Sequence, residues 1–293
     1  MDRHIYINLR YANLTDDIAQ AICEQSRDPY YLPESEISKY DISIDRFSLH
    51  HCILPIYEYT TDLKIKCIRT LDSVESIVTV DFKPYLDVHN LIWNITDFFT
   101  AINNALQTII SDLTIPSNIS LLFDRNTYKA NFNHYDGFTT AYIIQFNEPL
   151  YAVFHSFDYI NVQFNQAWFT LNTLNVAPYQ MQTIDTIELS PVDKILVKAV
   201  SPISPEMTPP TQYATQNSYQ ILTDYEINGV NKTYINNIMY TATTGQYRMH
   251  SLKKSNWNYI KLSFYYSTYI GNTFQLYIVQ GGSVDVKLYI KLN

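Results

Sequence analysis

Hydrophobic and polar residues alternate singly along much of the chain. In VDVKLYIKL, Val284, Val286, Leu288, Ile290 and Leu292 take every second position, with Asp285, Lys287, Tyr289 and Lys291 between them. A strand turns successive side chains to opposite faces, so this segment buries one face and wets the other, as antiparallel sheet does. Ile260, Leu262, Phe264 and Tyr266 repeat the pattern just before it. The intervening Gln280-Gly281-Gly282-Ser283 reads as the turn joining these last two strands. Leu63, Ile65 and Cys67 alternate with Lys64 and Lys66, and Val78, Val80 and Phe82 with Thr79 and Asp81.

One segment departs from period two. In LIWNITDFFTAINNALQTIISDL, Leu91, Ile95, Phe98, Ile102, Ala105 and Ile109 recur at alternating spacings of four and three. That spacing predicts a helix over 91–113 with a broad apolar stripe. Asn90 is the expected N-cap, and Pro116 prevents the helix from continuing. The stretch SPISPEMTPPTQYATQN (201–217) holds four prolines and no periodicity, and is expected to be a loop or interaction arm. There is no internal repeat and no coiled-coil or collagen period.

Composition sharpens this β-rich picture. The 293 residues are 46% hydrophobic, enough for one large domain or two ordinary ones. The 26 tyrosines suit half-buried strands and wet interfaces, because the ring packs while the hydroxyl stays solvated. Only 16% of residues are charged, below the ~25% of an average soluble domain. Burial of surface against other subunits and a surface built from Asn, Gln, Thr and Ser are the two readings of that shortage. A net charge of −8 argues against a phosphate-neutralising nucleic-acid binder. No run approaches the ~18 apolar residues of a membrane span. The opening MDRHIYINLRYANL has no apolar core of signal-peptide length. Cys23, Cys52 and Cys67 are too few and scattered for a disulfide framework, so a reducing site of folding is expected.

The search for chemistry centres on IDRFSLHHCILPIYEY, where His50, His51 and Cys52 adjoin. In a regular strand His50 and Cys52 share a face while His51 points away, so the three cannot converge on one ion. The expectation is a strand with Phe47, Leu49 and Ile53–Ile56 packing. Six glycines leave no phosphate-binding loop, and no nucleophile elbow, Walker loop or dinucleotide fingerprint occurs. Glu34, Glu36, Asp16 and Asp17 read as solvated, and Asp41 and Asp45 as surface partners of Arg46 or Lys39. No catalytic, cofactor-binding or metal-ligating residue is assigned, and the chain is not expected to be an enzyme. A metal-dependent β-barrel enzyme, with a site assembled from distant residues, stays open as an alternative.

Several blocks together resemble a known family. IDRFSLHHCILPIYEY resembles the first strand block of the penton (minor capsid) proteins of Polinton/Maverick-type elements, adintoviruses and Mavirus-like virophages. LIWNITDFFTAINNALQTI resembles their helix block through Phe98, Ile102, Asn103, Ala105 and Leu106. AYIIQFNEPLYAVFHSF resembles the next through Phe146, Asn147, Leu150, Val153, Phe154 and Phe157. ILVKAVSPISPEMTPP, NSYQILTDYEI (Ile221 to Tyr225), TTGQYRMHSL (Tyr247, Arg248) and the closing strands with their Gly-Gly-Ser segment follow in order, from about residue 42 to 292. Two segments depart from the pattern, GNTFQLY and an inserted turn at 228–232, and they put loop functions rather than the fold in doubt.

The resemblance implies a mainly β protein with a single jelly roll, an antiparallel β-sandwich, carrying an α+β insertion with one long helix. The expected layout is an N-terminal arm over 1–41, a jelly roll from 42–84 plus 184–293, and an insertion domain over 85–183. One continuous pair of sheets with the helix packed on it is the alternative layout. The implied function is a homopentameric vertex (penton) of an icosahedral particle, partnered by a double-jelly-roll major capsid protein. No cofactor, no specific nucleic-acid binding and no membrane span are implied. The protein would be made and assembled inside the host cell and reside in the virion. The arm and the Pro-rich loop are then candidates for reaching between subunits. A receptor- or glycan-binding module of a virion spike is the alternative, with Trp93, Trp168, Tyr128 and Tyr135 as its candidate surface.

Overall fold

The computed structural model describes residues 3–25, 39–116, 118–124, 129–134, 141–163, 165–172, 179–181, 191–200, 220–226, 235–242, 250–253 and 260–292. The chain opens with strands β1 (Arg3–Ala12), β2 (Ile18–Gln20), β3 (Ile22–Gln25) and the long β4 (Lys39–Ile53). It continues through β5 (Tyr57–Glu58), β6 (Lys64–Arg69), β7 (Glu75–Thr79), β8 (Leu91–Ile92), helix α1 (Ile95–Leu113), β9 (Ser120–Asp124) and β10 (Lys129–Asn133). Then come β11 (Tyr142–Asn147), helix α2 (Glu148–Val153), β12 (Tyr159–Ile160), β13 (Trp168–Leu171) and β14 (Tyr179–Met181). The last strands are β15 (Val192–Val200), β16 (Gln220–Glu226), β17 (Ile235–Thr241), β18 (His250–Lys253), β19 (Ile260–Thr268), β20 (Thr273–Gln275) and β21 (Tyr277–Leu292). These elements form two compact units, Met1–Leu54 with Val192–Asn293, and Pro55–Pro191.

The first unit is a sandwich of two antiparallel sheets. One has the order β1-β21-β4-β17, with β2 also on β21 and β18 also on β4. The other has the order β16-β15-β19-β20, with β3 also on β19. The alternation read from the sequence supplies the core: Val284, Val286 and Leu288 are buried from one sheet, and Leu262, Phe264 and Tyr266 from the other. Phe47 of β4 stacks on Tyr240 of β17 at 5.0 Å and meets Phe264 of β19 edge-on at 5.4 Å. Each such buried side chain contributes roughly 1.5–3 kcal/mol.

Two expectations are corrected in this unit. Residues 3–25 of the proposed arm are strands of the sandwich: β1 pairs with β21 over ten rungs without a break, and Leu9 is only 3% exposed. The alternation of Ile5, Ile7 and Leu9 is a strand signal that the polar residues around it obscure. The rest of the arm, 26–38, and the Pro-rich loop 201–217 lie outside the described residues.

The second correction concerns the glycine pair. Gln280–Ser283 is no turn between strands but a bulge inside β21, where the register with β4 shifts between Ile278 and Ser283. Gly281 takes φ +82, and a Cβ on Gly282 would meet the carbonyl oxygen of His50 at 2.6 Å. The bulge is capped from the chain after β1: Gly281 N–H donates to Asn13 at 2.7 Å, and Asn13 N–H to Gly282 at 2.9 Å. Glycine serves a bulge for the same reasons that it serves a turn, so the sequence does not separate the two. The hairpin itself lies at Tyr269–Asn272, with Gly271 at φ +92.

In the second unit, β12, β13, β11, β6 and β7 form one sheet in that order. Leu63, Ile65, Cys67, Ile144 and Phe146 are buried, and the buried stripe of α1 contains Phe98, Ile102, Ala105 and Ile109. The helix starts four residues later than its spacing suggests. Leu91–Ile92 instead pairs with Tyr57–Glu58, and Asn94 is the N-cap, accepting from the Thr96 N–H. Thr114 closes it in the left-handed conformation, just before Pro116. Residues 55–84, expected in the jelly roll, form β5 to β7 here, pairing with β8, with β11 and with each other. Their alternation marks them as strands without saying which sheet receives them.

Asparagine amides fix the local joints. Asn103 on α1 clamps Leu121 of β9, accepting from its N–H at 2.7 Å and donating to its carbonyl at 2.8 Å. Asn147 caps α2 and also accepts from the Lys64 N–H at 2.9 Å. The block Phe146, Asn147, Leu150, Val153, Phe154, Phe157 is therefore a packing motif: Val153 is half-buried, the other four apolar members are buried, and the asparagine holds the turn.

Candidate functional site

The adjoining His50, His51 and Cys52 sit on β4 beside the bulge of β21. The register with β17 also shifts here, between Asn236 and Ile238. His51 takes φ +55 and is exposed, and its N–H donates to the Asn237 side chain at 2.9 Å. Cys52 is fully buried, its Sγ 3.3 Å from the Asn236 carbonyl. Burial pushes its thiol up to about 12, and does the same to Cys23 and Cys67. A buried thiol held protonated is a poor nucleophile at neutral pH. Around this stretch the register of β4 shifts against both of its neighbours, β21 and β17. Among the described residues no group of three His, Cys, Asp or Glu is placed to hold a metal ion.

The acidic candidates disperse. Asp16 and Asp17 are exposed in the turn after β1, where Asn13 accepts from the Asp16 N–H at 3.0 Å. Glu34 and Glu36 lie outside the described residues, as does the side chain of Asp41. Asp45 pairs with Lys287 of β21 at 3.0 Å. Asp45 is the residue left between the Arg46–Lys287 and Ile44–Leu288 rungs, where the register of β4 with β21 shifts. Trp93 donates to Asp87 at 2.9 Å, and Trp168 carries the Lys66 ammonium 4.9 Å above its ring. Each is engaged locally, while Tyr128 and Tyr135 lie outside the described residues.

What the first unit does offer is a built surface. On the solvent face of the β1 sheet, Lys287 lies 4.1 Å over the Tyr6 ring, which tilts against Tyr289 at 5.5 Å. Arg10 pairs with Asp285 at 3.2 Å. Met239 of β17 stands 69% exposed on the last strand of the same sheet. Cross-strand ladders of this kind hold a surface rigid.

The backbone matches solved structures over nearly its whole length. The mavirus penton protein superposes with a TM-score of 0.82 at 19% identity, covering 99% of this chain and 100% of that one. The fold is that of a virophage penton. A chain from the 3.5 Å structure of the Sputnik virophage matches with a TM-score of 0.72 at 18% identity, covering 99% of this chain and 97% of that one. Residues 211–291 match the family model for the Sputnik minor capsid protein V18/19. No protein with a curated description matches in sequence. The single jelly roll with an α+β portion, expected from the resemblance, is thus the penton fold in full, and no helix among the described residues is long and apolar enough to cross a membrane.

Proposed function

We propose that this chain is a structural capsid protein that forms the vertex, or penton, of an icosahedral virus particle. The observation that carries the reading is the match to the mavirus penton protein over the full length of both chains. The family-model match at the C-terminal strands supports it independently from sequence. Five copies close a ring at each vertex, and a double-jelly-roll major capsid protein surrounds them. In such a ring every subunit presents two different complementary patches to its neighbours. No catalysis enters this role. The chain is made and assembled in the host cell and ends in the virion.

Co-expression with the cognate double-jelly-roll capsid protein tests this. Particles should form with this chain at their five-fold positions when reconstructed by electron microscopy. Particles whose vertices lack it, with the chain left in the soluble fraction, would overturn the reading.

A further inference from the structure

The sheet β1-β21-β4-β17 ends in two strand edges to which no further strand among the described residues is hydrogen-bonded. On one side is β1, ten residues long. On the other, β17 pairs with Arg46–Ile53 of β4 and β18 with Lys39–Ile42, so strands of seven and four residues lie end to end. Open edges display unpaired N–H and C=O groups, and proteins usually blunt them with proline, lysine or a bulge. The β1 edge is not blunted in this way, and the β17–β18 edge is blunted only locally, by the register shift between Asn236 and Ile238 and by Lys253 at the end of β18. β1 holds no proline or lysine and runs in unbroken register with β21 from Arg3 to Ala12. β17, INNIMYT, has neither proline nor charge.

We infer that β1 of one copy pairs antiparallel with the β17–β18 edge of the next, joining these sheets around the ring. The inference rests on the pentameric reading above. Strand parity fits it. Each step along β17, β4, β21, β1 is antiparallel, so the two edge strands run in opposite directions. A rotation about an axis along the strands therefore sets β1 of one copy antiparallel to β17 of its neighbour, and the alternation continues. The faces agree as well. Tyr6, Asn8 and Arg10 are exposed on β1 while Leu9 is buried, and Met239 and Thr241 are exposed on β17 while Ile238 and Tyr240 are buried. Joined edges keep the apolar rows of both copies on the inner side. Pairing β1 with β1 about a two-fold axis also satisfies the backbone, but it stops at a dimer and cannot build a five-membered ring.

Facing residues on adjacent strands have Cα atoms about 4.5–5.5 Å apart, within disulfide reach. The test places cysteine at Tyr6, Asn8 or Arg10 together with cysteine at Met239 or Thr241, in the full chain. The three native thiols are buried and stay silent. Under mild oxidation of assembled protein, at least one pair should give a reducible ladder of covalent oligomers ending at five chains, and no single-cysteine variant should give a ladder. Pentamers seen by native mass with no ladder from any pair overturn the edge pairing and leave the vertex reading intact. A covalent dimer from Asn8→Cys alone assigns β1 to a two-fold contact and also overturns it. A chain that assembles neither alone nor with the major capsid protein sinks both.

Discussion

Phe47 and Phe264 meet edge to face at 5.4 Å and join the two sheets of the sandwich. Tyr225 reaches the same ring at 6.2 Å, and Tyr240 stacks on it at 5.0 Å. The ring stands where the sheets press together, so its removal opens a cavity that β structure cannot collapse. Phe47→Ala should cost about 3–5 kcal/mol, and Phe47→Leu clearly less. Urea unfolding of the two variants measures this. Equal midpoints for Phe47→Ala and the wild type would deny the ring its place in the core.

The β21 bulge makes a prediction that a loop turn would not. A Cβ on Gly282 runs into backbone oxygens of His50 at 2.6 Å and Val279 at 2.9 Å, and backbone cannot step aside cheaply. Gly281 has open space but φ +82, so alanine there meets only conformational strain, of about 1–2 kcal/mol. Gly282→Ala should therefore lower the melting temperature more than Gly281→Ala. The reverse order would return this segment to an ordinary turn.

The Asn103 amide satisfies both backbone groups of Leu121. Asn103→Asp keeps the acceptor and loses the donor, so the Leu121 carbonyl goes unpaired. Asn103→Leu loses both. Each should destabilise by about 1–3 kcal/mol. Hydrogen exchange gives the local readout: the Leu121 N–H should stay slow in Asn103→Asp and become fast in Asn103→Leu.

The thiols predict an alkaline limit. Cys23 and Cys52 titrate near 12 when folded against 9.0 when free, because burial disfavours the thiolate; Asp285 adds to this at Cys23. The folded state holds its protons more tightly than the unfolded chain does. Their stabilisation is therefore complete below pH 9 and declines as pH rises toward 12. At pH 8 a thiol reagent should find none of the three cysteines in the native protein and all three in denaturant. Fast labelling of Cys52 at pH 8 without unfolding would reopen its stretch as a reactive site.

Much of the fold was legible where one face is dry and the other wet. Val284 to Leu288, Leu262 to Tyr266 and Leu63 to Cys67 alternate in sequence and sort accordingly in space. The stripe of α1 was equally plain, but its start was not: Leu91 and Ile92 keep the helical spacing yet pair with β5. Partition between the units was hidden, because alternation identifies a strand and not the sheet that takes it, as β6 and β7 show. Asp45 found Lys287 across 242 positions of sequence, a contact that only strand register sets. The open edges were invisible for the same reason, since a sequence does not declare which strand comes last in its sheet.

Assembly into a five-membered ring is read by native mass. Mass photometry of the purified chain, alone and co-expressed with the major capsid protein, should show a species at five times the 34.2 kDa chain mass in at least one sample. A strict monomer in both, with no chain recovered in particles, would contradict the vertex role.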